Sequence, residues 1–206
     1  MTRFYRIRIQ PKTGFMPYFD SDTLFGHLAW TLLYTEGEAS LTRLLDQFRT
    51  APPFRLSSVF PAGFVPRPEL PLEHWTDDAD LSLFARMKQR ERGKQLRKRT
   101  LVSLATLLSV QNGLSSASLA RALTDRDDAV PPITVQHEAS TAVDRQSGRA
   151  LDGSLHNTRA RWLAAGASLE SWLRIDDDSI DASWLAGLFA AMGEHGLGAD
   201  ASTGRG

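Results

Sequence analysis

The sequence predicts an α+β fold: a strand and an apolar helix near the N-terminus, then a long middle insertion, then a second strand and helix near the C-terminus. Three observations carry this. Apolar residues recur at every second position over most of 3–10 and 168–175. Apolar residues recur at helical spacing at 21–34, at 41–48 and after Asp181. Between these lies a stretch dense in proline and glycine at 51–71.

Taken in order, Tyr5, Ile7 and Ile9 alternate with Phe4, Arg6, Arg8 and Gln10. Residues 3–10 therefore read as a strand with one apolar face and one aromatic-basic face. Pro11, Gly14 and Pro17 end it. Ser21 and Asp22 are good N-cap residues and open a helix to about Tyr34. Leu24, Phe25, Leu28, Ala29 and Leu32 make that helix apolar enough to be mostly buried. Leu41, Leu44, Leu45 and Phe48 set a second helix at 41–48. Residues 51–71 hold seven prolines or glycines around Phe54, Val59, Phe60, Phe64 and Val65, which fits extended segments with fixed turns. A basic helix is expected at 81–92, broken at Gly93, with short helices at 101–108 and 116–123. Residues 130–133 and 139–150 read as irregular β structure, with Arg145-Gln146-Ser147-Gly148 as a hairpin turn. Leu169, Ser171, Leu173 and Ile175 alternate with Glu170, Trp172 and Arg174, giving a strand at 168–175. Asp181 or Ser183 then caps a helix carrying Leu185, Leu188, Phe189 and Met192 at core spacing, and a glycine-rich segment follows. No repeat of solenoid length is present.

The expectation is one domain over 1–206, with an insertion at 51–165 that contains a basic segment at 86–99. The order of elements is that of a β-α-β-β-α-β ferredoxin-like domain without its last strand. The chain is therefore expected to be cut short of a longer parent, leaving the first strand unpaired on one side.

Composition narrows the function. Apolar residues are 42% and charged residues 23% of the 206, an ordinary globular balance. Without cysteine there are no disulfides or thiolate metal sites, which fits a reducing cytoplasm. Met1 to Gln10 carries Arg3, Arg6 and Arg8 and no apolar core, so a signal peptide is not expected, and no apolar run reaches membrane-spanning length. Net charge is zero but segregated. Eight basic residues and one acidic residue lie between Arg86 and Arg99, while acidic clusters sit at Asp77/Asp78/Asp80, Asp125/Asp127/Asp128 and Asp176/Asp177/Asp178/Asp181. A local basic patch can hold phosphates on a neutral protein.

The glycine segment from Gly196 to Gly206 follows a helix, which excludes a phosphate loop or a dinucleotide fingerprint, whose glycines lead into one. Its glycines permit close backbone approach to a ligand, and Ser202, Thr203 and Arg205 are donors suited to phosphate. Phe4, Arg6 and Arg8 resemble the aromatic and basic side chains by which RNA-recognition sheets stack bases and pair phosphates. His27 alone has a case as a catalytic group: with a tyrosine such as Tyr34 and a lysine such as Lys12 it could act in metal-free RNA cleavage. The blander reading is a histidine packed against Trp30. His74, His137, His156 and His195 are scattered, and no metal pair, nucleophile elbow or paired carboxylates stand out, so no metal or cofactor is expected.

Ser21-Asp22-Thr23-Leu24-Phe25-Gly26-His27-Leu28-Ala29-Trp30, after an arginine-rich strand, resembles the first-helix signature of RAMP-superfamily CRISPR proteins. Ser58-Val59-Phe60-Pro61 with Pro66-Arg67-Pro68, the basic stretch Lys94 to Arg99 before Leu101-Val102-Ser103-Leu104, and Asp144 to Gly148 resemble the subunit that binds the 5′ handle of the guide RNA in type III-A (Csm) interference complexes. The glycine segment resembles the RAMP glycine-rich loop. This resemblance implies a ferredoxin-like, RNA-recognition-type domain and a non-catalytic, cytoplasmic RNA-binding subunit in antiviral defence. Its partners would be the guide RNA, the large polymerase-like signalling subunit and the backbone RAMP subunit. By resemblance, Ser21, Thr23, Arg145, Gly196, Gly198, Ser202, Thr203 and Arg205 would contact RNA, and Lys94, Arg97, Lys98 and Arg99 would add phosphate contacts. The alternatives are a metal-independent endoribonuclease that processes repeat RNA with His27 as general acid/base, and a scaffold that touches only protein.

Overall fold

The structure, a computed structural model, describes residues 1–15, 19–71, 82–84, 87, 94, 98–125 and 130–198. The chain divides into two compact units, Met1–Ala62 with Pro132–Gly206, and Gly63–Pro131. The second unit is narrower than the 51–165 insertion expected from sequence.

The first unit contains β1 (Arg3–Ile9), α1 (Ser21–Glu36), α2 (Glu38–Thr50), β2 (Phe54–Leu56) and β3 (Phe60–Pro61). It resumes with β6 (Ile133–Ser140), β7 (His156–Leu163), β8 (Leu169–Ile175) and α5 (Ala182–His195). Its sheet is antiparallel, in the order β1-β8-β2, with β3 also paired to β8. β1 and β8 pair along their full length, from Arg3 opposite Ile175 to Ile9 opposite Leu169. Side chains alternate across a strand, so Ile7, Ile9, Leu173 and Ile175 share the face that packs into the core. Leu24, Leu28 and Leu32 of α1 and Leu185, Leu188 and Met192 of α5 bury against it. Each such aliphatic side chain, fully buried, is worth about 1.5–3 kcal/mol of transfer free energy. Phe25, Phe48 and Phe54 tie α1, α2 and β2 together, with ring centroids 4.9 Å apart for Phe25–Phe48 and 5.1 Å for Phe48–Phe54.

α1 starts one residue earlier in capping terms than the sequence suggests. Asp20 is the N-cap and makes no side-chain cap bond. Its carbonyl accepts from the Leu24 N–H, and the Ser21 N–H donates to Ser58 Oγ at 3.2 Å. Gly37, at φ 85°, ends α1 and lets α2 begin at once. Asp181 caps α5 through its carboxylate, which accepts from the Ser183 N–H at 2.9 Å.

β6 and β7 form a hairpin in register from Ile133 opposite Leu163 to Ser140 opposite His156. The reading of 130–133 and 139–150 thus located β structure but missed β7 and put the strand boundaries in the wrong place. Residues 143–150 close as expected: Gly148 N–H donates to the Asp144 carbonyl at 2.8 Å and Asp144 N–H to the Arg149 carbonyl at 2.9 Å.

The second unit pairs β4 (Phe64–Pro66) with β5 (Leu101–Ser103), followed by α3 (Leu104–Val110), a 3-10 turn at Gln111–Gly113 and α4 (Ser116–Asp125). The helix expected at 101–108 therefore begins as a strand. Ser103 makes the change, its Oγ accepting from the Thr106 N–H at 3.1 Å as the cap of α3. Val102, Leu119 and Leu123 form a separate small core. Leu83, Phe84, Met87, Lys94 and Lys98 have helical backbone, so helix recurs beyond the break expected at Gly93, which lies outside the described residues. Among the described residues no helix is long and apolar enough to cross a membrane.

Candidate nucleic-acid interface

Alternation sends Phe4, Arg6 and Arg8 of β1 to the sheet face opposite the helices, and the register sets them against Arg174, Trp172 and Glu170 of β8. Arg55 of β2 lies opposite Arg174 on the other side and joins the same face. Phe4 is 69% exposed and Trp172 40% exposed, whereas Glu170 is buried at 4%. The Arg174 guanidinium lies 5.9 Å from the Phe4 ring centroid. Asp176 fixes that guanidinium with a 2.7 Å bond and also pairs with Arg55 at 3.2 Å. Arg6 approaches Glu170 at 3.8 Å. Arg8 has no ion-pair partner among the described residues. The result is an open face of two aromatic rings and four guanidiniums over one buried carboxylate. Sequence reasoning found the β1 half; Trp172, Arg174 and Arg55 join it only through strand register.

A second constellation links the start of α1 to the glycine segment. His27 is half-buried, and its Nε2 accepts the Gly198 N–H at 3.1 Å. That bond sets the neutral tautomer with the proton on Nδ1. Gly196 and Gly198 have φ of 85° and 101°, conformations that side-chain-bearing residues seldom adopt, and Leu197 between them is buried in the core. A Cβ on Gly198 would sit 2.9 Å from Cε1 of buried Phe19. The beginning of the glycine segment is thus folded tightly onto the core beside α1. On the same helix Trp30 stacks on Tyr34, with centroids 5.8 Å apart. Ser202, Thr203 and Arg205 lie outside the described residues.

The remaining expected contact residues are dispersed. Ser21 and Thr23 sit in the first turn of α1. Arg145 is exposed in the loop between β6 and β7, presented by Asp144, whose carboxylate accepts from the Gln146 N–H and the Ser147 hydroxyl. Those two bonds, in that order, hold the Asp144 carboxyl below its ordinary value. Lys94 and Lys98 are exposed in the second unit, and Arg99 is half-buried there, its carbonyl accepting from Arg67 Nε at 2.9 Å. Arg97 lies outside the described residues. No group of three metal-ligating side chains converges among the described residues.

Beside β1, the groove formed with α5 and the glycine segment has a volume of about 310 Å³ and is lined by Ile7, Ile9, Phe19, Phe189, Met192 and Leu197 among others. Among the described residues the outer edge of β1 pairs with no strand.

These features define an α+β domain with an antiparallel sheet, one face buried under helices and the other open, basic and aromatic. Solved structures of that fold include a chain of the Csm1–Csm4 cassette in complex with AMPPNP, matched at TM-score 0.53 and 19% identity over 94% of this chain and 66% of that one. A chain of the same cassette in complex with pppApA matches at TM-score 0.56 and 18% identity, over 94% and 65%. A chain of the Csm3–Csm4 subcomplex of the type III-A CRISPR-Cas interference complex matches at TM-score 0.56 and 15% identity, again over 94% and 65%. At these identities the fold is what is shared. The chain spans about two thirds of the length of those solved chains. No family model and no curated protein matches it.

Proposed function

We propose that this chain is a subunit of a type III-A CRISPR interference complex that holds the 5′ handle of the guide RNA without cleaving it, and that it contacts the large signalling subunit and the backbone RAMP subunit. The observation that carries the reading is the fold shared across 94% of the chain with chains of the Csm1–Csm4 and Csm3–Csm4 structures. Support comes from the sheet: β1-β8-β2 is the order of the first, third and second strands of a ferredoxin-like domain. We read the β1 edge and its apolar groove as the place of the fourth strand. The proposed RNA contacts are Ser21, Thr23, Lys94, Arg97, Lys98, Arg99, Arg145 and the glycine segment with Ser202, Thr203 and Arg205. A non-catalytic role fits His27, whose Nε2 already accepts the Gly198 N–H and would have to give it up to act as a general base.

The test is to incubate the chain, in EDTA, with unprocessed repeat RNA and with guide RNA carrying its handle, then run native and denaturing gels. A handle-dependent shift without cleavage supports the proposal. Site-specific cleavage lost in His27→Ala overturns it in favour of the nuclease. Neither shift nor cleavage favours a scaffold that touches only protein.

A further inference from the structure

We infer that the open sheet face is a separate stacking platform for two unpaired bases of single-stranded RNA, one on Phe4 and one on Trp172. The inference rests on the RNA-binding reading above and adds a site to it. Phe4 stands opposite Arg174, and Trp172 opposite Arg6, so ring and guanidinium alternate in a checkerboard. The two residues are diagonal neighbours across β1 and β8, their backbone positions about 7–8 Å apart by strand geometry. Both are exposed although the opposite side of the same strands is core. Unpaired bases stack on such rings, whereas duplex bases are occupied with one another.

The charges suit a polyanion. Four guanidiniums, of Arg6, Arg8, Arg55 and Arg174, face two carboxylates, Glu170 and Asp176. That excess of positive charge suits a phosphate backbone, and this face has no exposed aliphatic residue on β1 or β8. Asp176 and the Phe4 ring hold Arg174 in place, so stacking there does not have to order a loose side chain. Arg8, at the far end, extends the basic track along the strand.

The experiment uses the full chain and an unstructured RNA 10-mer lacking the handle sequence, its complementary duplex, and guide RNA with its handle, titrated at several salt concentrations. The single strand is expected to bind more tightly than the duplex. Phe4→Ala and Trp172→Ala should each weaken single-strand binding about tenfold or more without changing the salt slope. Trp172→Phe should stay within about threefold of wild type because it keeps a stacking face. Arg6→Ala and Arg8→Ala should each lower the slope of log affinity against log salt by about 0.7. A 5-iodouridine crosslink should map to Phe4 or Trp172. Wild-type affinity in both alanine variants, equal binding of duplex and single strand, or an equal loss in Trp172→Phe and Trp172→Ala overturns the inference. If the handle-free strand does not bind while the guide RNA does, the platform is refuted and the handle-binding reading stands. If neither RNA binds, both fall. Phe4 is exposed enough that its truncation leaves the fold intact, which an unchanged melting curve checks.

Discussion

Two glycines in the first unit should respond to alanine with opposite signs. Gly198 adopts φ +101°, and an added Cβ would stand 2.9 Å from Cε1 of Phe19, a ring only 5% exposed and itself 6.3 Å from the Phe15 ring centroid. The substitution Gly198→Ala therefore meets two costs. Holding a side-chain-bearing residue at that φ costs about 1–3 kcal/mol. Displacing Phe19 within a packed core costs about 1–3 kcal/mol more. A loss of about 2–6 kcal/mol is expected, or about 4–24 °C in melting temperature for a chain of this size. Gly26, in the middle of α1, has nothing within 4 Å of its would-be Cβ. Alanine there should stabilise the helix by about 0.5–1 kcal/mol. Equilibrium denaturation in urea, followed by tryptophan fluorescence, measures both against wild type. If Gly198→Ala costs less than about 0.5 kcal/mol, or the two variants move in the same direction, the tight seating of Gly198 on Phe19 is wrong.

Two further outcomes follow from named bonds. His27→Ala removes the acceptor of the Gly198 N–H and should cost about 1 kcal/mol in the same denaturation assay, while His27→Gln, which can still accept, should cost less. Asp181 has its carboxyl held below its ordinary value near 3.8, first by the Ser183 hydroxyl and then by the Ser183 N–H. A depressed folded pKa contributes stability that is present above the unfolded value and lost as pH falls through the folded one. Asp181→Asn keeps a capping side chain but does not titrate, so its melting temperature should fall less steeply than wild type below about pH 4; identical acid limbs in a pH series of melting curves would refute this.

Much of the fold was legible because particular segments obeyed one period. β1 and β8 keep a period of two over most of their length, and α2 and α5 carry their leucines on one stripe, so element type followed directly. β7 escaped notice because His-Asn-Thr-Arg-Ala-Arg-Trp-Leu has neither a continuous apolar face nor β-branched density; it is a strand because β6 supplies its ladder. Leu101-Val102-Ser103-Leu104 is a short apolar run that fits strand or helix, and Ser103 divides it by capping one and ending the other. The candidate sites were half legible for the same reason. Phe4, Arg6 and Arg8 could be grouped on one face from spacing alone, but Trp172 enters through a register joining residues more than 160 positions apart. The His27–Gly198 bond, spanning 171 positions, leaves no local trace in either segment.

That bond has a chemical corollary. A ring nitrogen with one lone pair can accept from a backbone amide or take a proton from a ribose hydroxyl, but not both at once. A histidine in this position is therefore a latch or a base, and the choice is made by whether the backbone three residues beyond the end of α5 lies close enough to donate. Shifting that backbone by about an ångström would free the nitrogen without altering the histidine itself. In this chain, then, the availability of that nitrogen is written not only at the histidine but also in the turn that follows the last helix.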